Sequence, residues 1–302
     1  MDSFMLDTKD LYTIRDFLRF SVSRFNEAGL YYGHGTDNAW DEALALILPA
    51  LHLPHDITPH ILDAKITTKE RALLNELIEK RIHNRIPVAY LIHEAWFAQL
   101  PFYVDERVLI PRSPLAELIE NQFEPWIEPD HLNNVLELCT GSGCIAIAIA
   151  KVFPDCTVDA SDISKDALAV AKTNMHRHQV EDQVTLYQAD LFTGLPSDKH
   201  YDLIISNPPY VDANDMAELP PEFKHEPQMG LAGGEDGLDI VLKILKNAAS
   251  FLTPQGILIV EVGNSEIALA KKFPEIPFTW LEFERGGDGV FLLTAKQLSS
   301  IS

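Results

Sequence analysis

Asn134-Val135-Leu136-Glu137-Leu138-Cys139-Thr140-Gly141-Ser142-Gly143-Cys144-Ile145-Ala146-Ile147-Ala148 reads as a strand, a tight turn and the start of a helix. Gly141 and Gly143 let a ligand approach the backbone closely. The third glycine of a dinucleotide fingerprint is missing, since Ala146 stands in its place, and no Lys follows to make a P-loop. With acidic Glu137 already in the strand, pyrophosphate binding is disfavoured. Nineteen residues after Gly143, the apolar segment around Val158 ends at Asp162, before Ile163-Ser164. In doubly wound folds a carboxylate there binds a ribose hydroxyl pair, although a lone Asp at a strand end more simply caps the next helix. Gln188-Ala189-Asp190-Leu191-Phe192 then closes a third strand.

The next strand, Tyr201 to Ser206, stops at Asn207-Pro208-Pro209-Tyr210. An amide or amino nitrogen conjugated to a π system is a poor nucleophile. Its lone pair is delocalised, and no proton comes off at neutral pH to raise it. It must be positioned instead. The Asn207 side-chain carbonyl and the Pro208 main-chain carbonyl offer acceptors for both N–H bonds, holding the nitrogen in line with an electrophilic methyl group. Pro208 and Pro209 preorganise the turn, and Tyr210 offers a ring for a flat group to pack on. Read alone, the segment is also an ordinary Pro-Pro turn capped by Asn.

The ordered series of glycine turn, second-strand acid, a further Asp-Leu and Asn-Pro-Pro-Tyr resembles the S-adenosylmethionine-dependent Rossmann-like methyltransferases. The downstream pattern agrees. Apolar segments at Val135–Leu138, Thr157–Ala160, Val184–Gln188, Leu203–Ser206 and Ile257–Val262 alternate with helical stretches, which predicts a mainly parallel sheet. Phe278–Phe283 and Val290–Leu293 flank a glycine-rich turn and predict a terminal antiparallel hairpin. The expected class is α/β: a Rossmann-like class I methyltransferase sheet, mostly parallel, with a small helical N-terminal domain.

That N-terminal part carries helix-period apolar residues up to about Arg85. Ile14, Phe17, Leu18, Val22 and Phe25 follow a Thr13 cap. Trp40, Leu44, Ile47 and Leu48 follow Thr36-Asp37. The capping box Thr67-x-x-Glu70 opens a third helix with Leu74, Leu77, Ile78 and Ile82. Trp96-Phe97, Phe102–Val104 and Val108–Ile110 read as short strands turning at Asp105-Glu106. We therefore expect a helical recognition domain over 1–85, a β-hairpin linker over 86–116 and the methyltransferase domain over 117–302. The stretch of more than twenty residues after Tyr210 reads as a loop that either covers substrate or packs on the surface.

Charge narrows the substrate. With 24 basic against 45 acidic residues the net charge is −21, and no basic stripe breaks it. Such a chain repels a phosphate backbone, which weighs against DNA adenine as the planar nitrogen, and attracts basic proteins. No apolar run approaches a membrane span, and Asp2, Asp7 and Asp10 do not make a signal peptide, so a cytoplasmic protein is expected. Cys139, Cys144 and Cys156 lack metal-type spacing, and His176 and His178 point apart on a helix; no metal is expected.

At full length the chain resembles the bacterial HemK-like glutamine methyltransferases. The resemblance rests on Arg85-Ile86-Pro87-Val88-Ala89-Tyr90, Val108-Leu109-Ile110-Pro111-Arg112, Glu137 to Gly143, Asn207-Pro208-Pro209-Tyr210 and His225-Glu226-Pro227. The branch that modifies release factors follows Pro-Arg with Pro-Glu-Thr-Glu, whereas this chain has Ser113-Pro114-Leu115-Ala116-Glu117. Together with Tyr32 to Glu42, that run is similar to the branch acting on the third protein of the large ribosomal subunit. The resemblance implies S-adenosylmethionine as cofactor and direct transfer to a glutamine side chain, without a covalent enzyme intermediate. It implies Cys139, Thr140, Gly141, Ser142 and Gly143 at the amino-acid end of the cofactor, Asp162 and Ile163 at its ribose, Asp190 and Leu191 at its adenine, and Asn207 bordering cofactor and substrate. Its implied partner is a basic ribosomal protein before assembly, neither DNA nor membrane.

Overall fold

A computed structural model describes residues 7–299; Asp2, part of the expected non-signal N-terminus, lies outside them. The chain forms two compact units, Met1–Ala95 with Pro220–His225, and Trp96–Leu219 with Glu226–Ser302.

The first unit is helical. Helix α1, Ile14–Glu27, begins at a reciprocal capping box: the Thr13 hydroxyl accepts from the Asp16 N–H at 3.1 Å, and the Asp16 carboxylate accepts from the Thr13 N–H at 2.9 Å. Helix α3, Thr68–His83, opens on the expected Thr67/Glu70 box. Helix α2, Ala39–Ala50, departs from the expected reading. It follows Thr36-Asp37 with Asn38 as its cap, and Ile47 and Leu48 are buried as expected, but with Ala43, Leu46 and Glu42 beside them, while Trp40 is 45% exposed. A charged residue on the inner face broke the periodicity. Glu42 belongs there because Arg81 of α3, also buried, donates to it at 2.7 Å. Arg81 reaches the Tyr31 carbonyl at 2.9 Å and Glu222 at 3.3 Å as well. A short helix α4 spans Val88–Ile92.

Next comes a hairpin of β1, Ala95–Phe97, and β2, Leu100–Phe102. It turns at Ala98-Gln99, both at positive φ (45° and 61°), not at Asp105-Glu106. Asp105 is instead held by the Tyr103 hydroxyl and by Arg107, and Val108–Ile110 forms no strand. This type I′-like turn carries no glycine or asparagine to announce it.

The second unit holds one seven-stranded sheet: β3 (Asn134–Leu138), β4 (Thr157–Asp162), β5 (Val184–Gln188), β6 (Tyr201–Ser206), β7 (Leu252–Glu261), β8 (Thr279–Trp280) and β9 (Val290–Thr294), in the order β5-β4-β3-β6-β7-β9-β8. The pairs β3–β4, β3–β6, β4–β5 and β6–β7 are parallel, whereas β9 runs antiparallel to β7 and β8. The expected α/β class and terminal hairpin are both present, although β8 is shorter than expected. Helices α5 (Leu115–Glu120), α6 (Cys144–Val152), α7 (Lys165–His178), α9 (Asp239–Asn247), α10 (Glu266–Lys272) and α11 (Ala295–Leu298) complete the layers. The stretch after Tyr210 is not a bare loop. Asp212 caps a helix α8, Ala213–Glu218, and two 3₁₀ turns follow. After β5 the chain crosses back to lay β6 on the other side of β3, so the carboxyl ends of β3, β4 and β6 flank a switch point, where open α/β sheets bind ligands.

Among the described residues no helix is long and apolar enough to cross a membrane, and no group of three His, Cys, Asp or Glu side chains could hold a metal ion.

Candidate active site

At that switch point lies a cavity of about 610 Å³, within the range of small-molecule sites. Cys139, Thr140, Gly141, Ser142, Asp162, Ile163, Asp190, Leu191, Asn207 and Pro209 line it; Gly143, Pro208 and Tyr210 do not.

The glycine turn is held from several directions. Cys139 takes φ 60°, the left-handed conformation usual for glycine, and so turns the chain despite its side chain. Gly141 sits at φ +55° with nothing within 4 Å of where a Cβ would be, so its backbone faces open cavity. Gly143 serves packing instead: a Cβ there would lie 3.1 Å from Ala171 of α7 and 3.2 Å from Ile147. Buried Asn174 donates to the carbonyls of Ser142 and Tyr103, both at 2.9 Å, and accepts from the Tyr103 N–H at 2.7 Å. One side chain thus joins the turn to the segment after the hairpin. The Asp162 carboxylate accepts from the Gly141 N–H and the Ser164 N–H, both at 2.9 Å, while Ser164 caps α7. Asp162 braces the turn, and burial raises its carboxyl above the ordinary value.

In the sequence Glu137 weighs against phosphate and opens the motif Glu137 to Gly143, but no role at the site is assigned to it. In the structure it is the main electrostatic feature of the cavity wall. It is 1% exposed, and one oxygen accepts from the Thr140 hydroxyl at 2.5 Å and the Ala146 N–H at 2.9 Å. Burial pushes its carboxyl up to about 8, and among the described residues no cation offsets this. Two arginines that line the cavity are already paired. Arg107 holds Asp105, pulling its carboxyl down to about 2, and Arg112 forms a bidentate pair with buried Glu226 at 2.7 and 2.9 Å. The latter joins Pro111-Arg112 to Glu226-Pro227, and Glu226 also accepts from the Ile110 N–H at 3.0 Å. So engaged, Glu226 is no base. The apolar side chains of Ile163 and Leu191 also line the cavity. A wall with a buried carboxyl that keeps its proton near neutral pH, together with apolar side chains, suits a ligand with a cationic group, which would draw that proton off, and a flat apolar group.

Burial pushes the thiols of Cys139 and Cys144 up to about 12, so neither is a thiolate nucleophile at neutral pH. His176 pairs with Glu181, and His178 faces the Pro101 carbonyl.

Asn207 follows β6 directly. Among the described residues its side-chain amide makes no hydrogen bond to the protein, so both its donor and its acceptor are free for a ligand. Tyr210 is fixed: its hydroxyl donates to Glu261 at 2.8 Å, and its ring packs so closely on Gly263 that a Cβ there would lie 2.5 Å from a ring carbon. Sequence reading missed Glu261, a single acid closing an apolar strand, and the cavity wall from Glu106 to Ser113, which it took partly for a strand.

A family model for the methyltransferase small domain matches residues 118–222. The ribosomal protein uL3 glutamine methyltransferase of Neisseria gonorrhoeae (strain ATCC 700825 / FA 1090) is 53% identical over 292 residues, 96% of this chain and 97% of that protein. Its counterpart in Neisseria meningitidis serogroup B (strain ATCC BAA-335 / MC58) is 54% identical over 292 residues, 96% of this chain and 95% of that protein. Among solved structures, a 16S rRNA N2 G1207 methyltransferase of T. thermophilus in complex with AdoMet and guanosine is similar with a TM-score of 0.44 at 15% identity, over 67% of this chain and 49% of that one.

Proposed function

The chain belongs to the family of the ribosomal protein uL3 glutamine methyltransferases, and from that premise we propose that it methylates the side-chain amide nitrogen of a glutamine in ribosomal protein uL3. S-adenosylmethionine is the methyl donor and, when bound, supplies an electrophilic methyl group on a sulfonium. The observation that carries the reading is Asn207: a free amide on the cavity wall, at the end of the strand beside the glycine turn.

The residues then divide the work. Cys139, Thr140, Gly141 and Ser142 offer backbone to the amino-acid end of the cofactor, and positive charge there would draw the proton off Glu137, whose carboxyl burial holds up at about 8. Asp162 with Ile163 takes the ribose, and Asp190 with Leu191 the adenine. Gly143 contributes by letting α7 approach the turn. The Asn207 side-chain oxygen and the Pro208 carbonyl accept the two N–H bonds of the substrate amide, so its nitrogen faces the methyl group as positive charge develops. The N–C bond forms as the S–C bond breaks. The methylated nitrogen is then acidic and gives its proton to water. High thiol pKa values and the paired state of Glu226 support direct transfer, without a protein nucleophile or base.

The net charge of −21 favours a basic partner. We assign the helical unit a recognition role, the free ribosomal protein as the form acted on before assembly, and the cytoplasm as the compartment. Labelled S-adenosylmethionine incubated separately with isolated uL3, intact large subunits, a release factor and DNA tests the reading. Label is expected in isolated uL3, faster than in subunits. Label in the release factor alone overturns the substrate, and faster labelling of subunits overturns the timing.

A further inference from the structure

Among the described residues the Asn207 side chain has no hydrogen-bond partner, so the direction of its amide depends on what fixes the backbone around it. On one side that is β6, whose Ser206 pairs in register with Val260 of β7. On the other it is the turn Pro208-Pro209-Tyr210, and Tyr210 is held at several points. Its carbonyl accepts from the Ser265 hydroxyl at 3.0 Å. Its ring lies on Gly263, and its Cα would be 2.7 Å from a Cβ at Gly233. Its hydroxyl donates to Glu261 at 2.8 Å.

Glu261 is the last residue of β7, one step beyond the partner of Ser206, and 5% exposed. Its second oxygen accepts from the Ser113 hydroxyl at 2.5 Å. Ser113 is itself oriented, because its oxygen accepts from the Leu115 N–H at 3.2 Å at the start of α5. A hydroxyl has one proton, and with that acceptor bond made the proton goes to Glu261. Both carboxyl oxygens therefore receive a hydroxyl proton, one from the segment after Pro111-Arg112 and one from the turn after β6. Burial raises the Glu261 carboxyl, and the Ser113 and Tyr210 hydroxyls and the charge of Arg112 draw it back down.

We infer that Ser113 and Glu261 are positioning residues for methyl transfer: they clamp the Tyr210 hydroxyl and so fix the turn that aims Asn207. The inference rests on the reading of Asn207 as the amide-orienting residue. Glu261 does not line the cavity, and Ser113, on its wall, turns its hydroxyl proton to Glu261. A Pro-Pro turn transmits the clamp because φ is locked at both prolines, leaving little slack between Tyr210 and Asn207.

The test uses the full-length protein and compares Ser113→Ala, Tyr210→Phe, Glu261→Ala and Glu261→Gln with wild type, on whichever of uL3 or release factor accepts the methyl group. It records kcat, KM, the cofactor Kd by calorimetry and the melting temperature. Ser113→Ala and Tyr210→Phe are each expected to lower kcat about 10-fold, and Glu261→Ala about 100-fold, the scale of a catalytic group displaced by about an ångström. The cofactor Kd stays within about threefold, since the clamp does not build the cofactor cradle. The double variant Ser113→Ala/Tyr210→Phe should lose less than the product of the single losses, because both act through Glu261. Glu261→Gln keeps an acceptor for Tyr210 and should recover most of the rate, which a purely structural role does not predict. The clamp is overturned if kcat per cofactor-binding site stays within about twofold of wild type in Tyr210→Phe and Glu261→Ala, or if losses follow only melting temperature or cofactor Kd. Wild-type transfer to release factor alone overturns the uL3 reading and leaves the clamp to be judged on that substrate; wild-type transfer to neither overturns both.

Discussion

At the scale of the residue, Glu137 is the group whose environment is most unlike water. Its carboxyl sits at about 8 because burial disfavours the charged form and the Thr140 and Ala146 hydrogen bonds do not offset it. In the unfolded chain it titrates near the ordinary 4.5. The folded state therefore binds the extra proton between those values, and the contribution to stability is full below about 4.5 and lost as pH rises through about 8. Glu137→Gln keeps an acceptor for both hydrogen bonds and cannot ionise. In the cofactor-free protein, its melting temperature should fall less between pH 5 and 8 than that of wild type; equal slopes would show that Glu137 stays charged when buried. The residue was visible in the sequence as an acid inside an apolar strand, but its burial was not, because burial depends on strands that arrive from elsewhere in the chain. Cys139 is similar: its place in the turn was legible, and its positive φ needed the fold.

At the scale of the element, the strand-turn-helix of β3 and α6 and the alternation through β7 were readable because local periodicity specifies them. The exceptions share a cause. Helix α2 turns Glu42 inward because Arg81, 39 residues away, waits there, and no local pattern reveals such a partner. The β1–β2 hairpin turns on Ala98-Gln99, residues that carry no turn signature. The Arg81 network gives a direct prediction. Arg81→Leu leaves Glu42 buried without its cation and Glu222 with Arg85 alone, a loss of about 3–5 kcal/mol for a broken buried pair. Urea unfolding followed by circular dichroism should show a correspondingly lower midpoint; a loss under about 1 kcal/mol would mean that water reaches those carboxylates.

At the scale of the whole molecule, the sheet order brings segments far apart in sequence to one cavity: the turn after β3, the acid ending β4, the loop after β5 and Asn207 after β6. Each was recognisable as a motif, and their order along the chain was enough to anticipate the sheet. The wall supplied by Glu106 to Ser113, and the clamp from Ser113 through Glu261 to Tyr210, were not legible, since they arise only where α5, β7 and the Pro-Pro turn meet. Asn207, we propose, orients a glutamine amide beside a bound methyl donor. Its most direct test is Asn207→Ala, with single-turnover transfer to uL3 and cofactor affinity measured on the same protein. Transfer should fall by about 10²–10³-fold, the usual loss for a preorganised polar group at the reacting centre, while cofactor Kd stays within about threefold. Transfer within about threefold of wild type would contradict it.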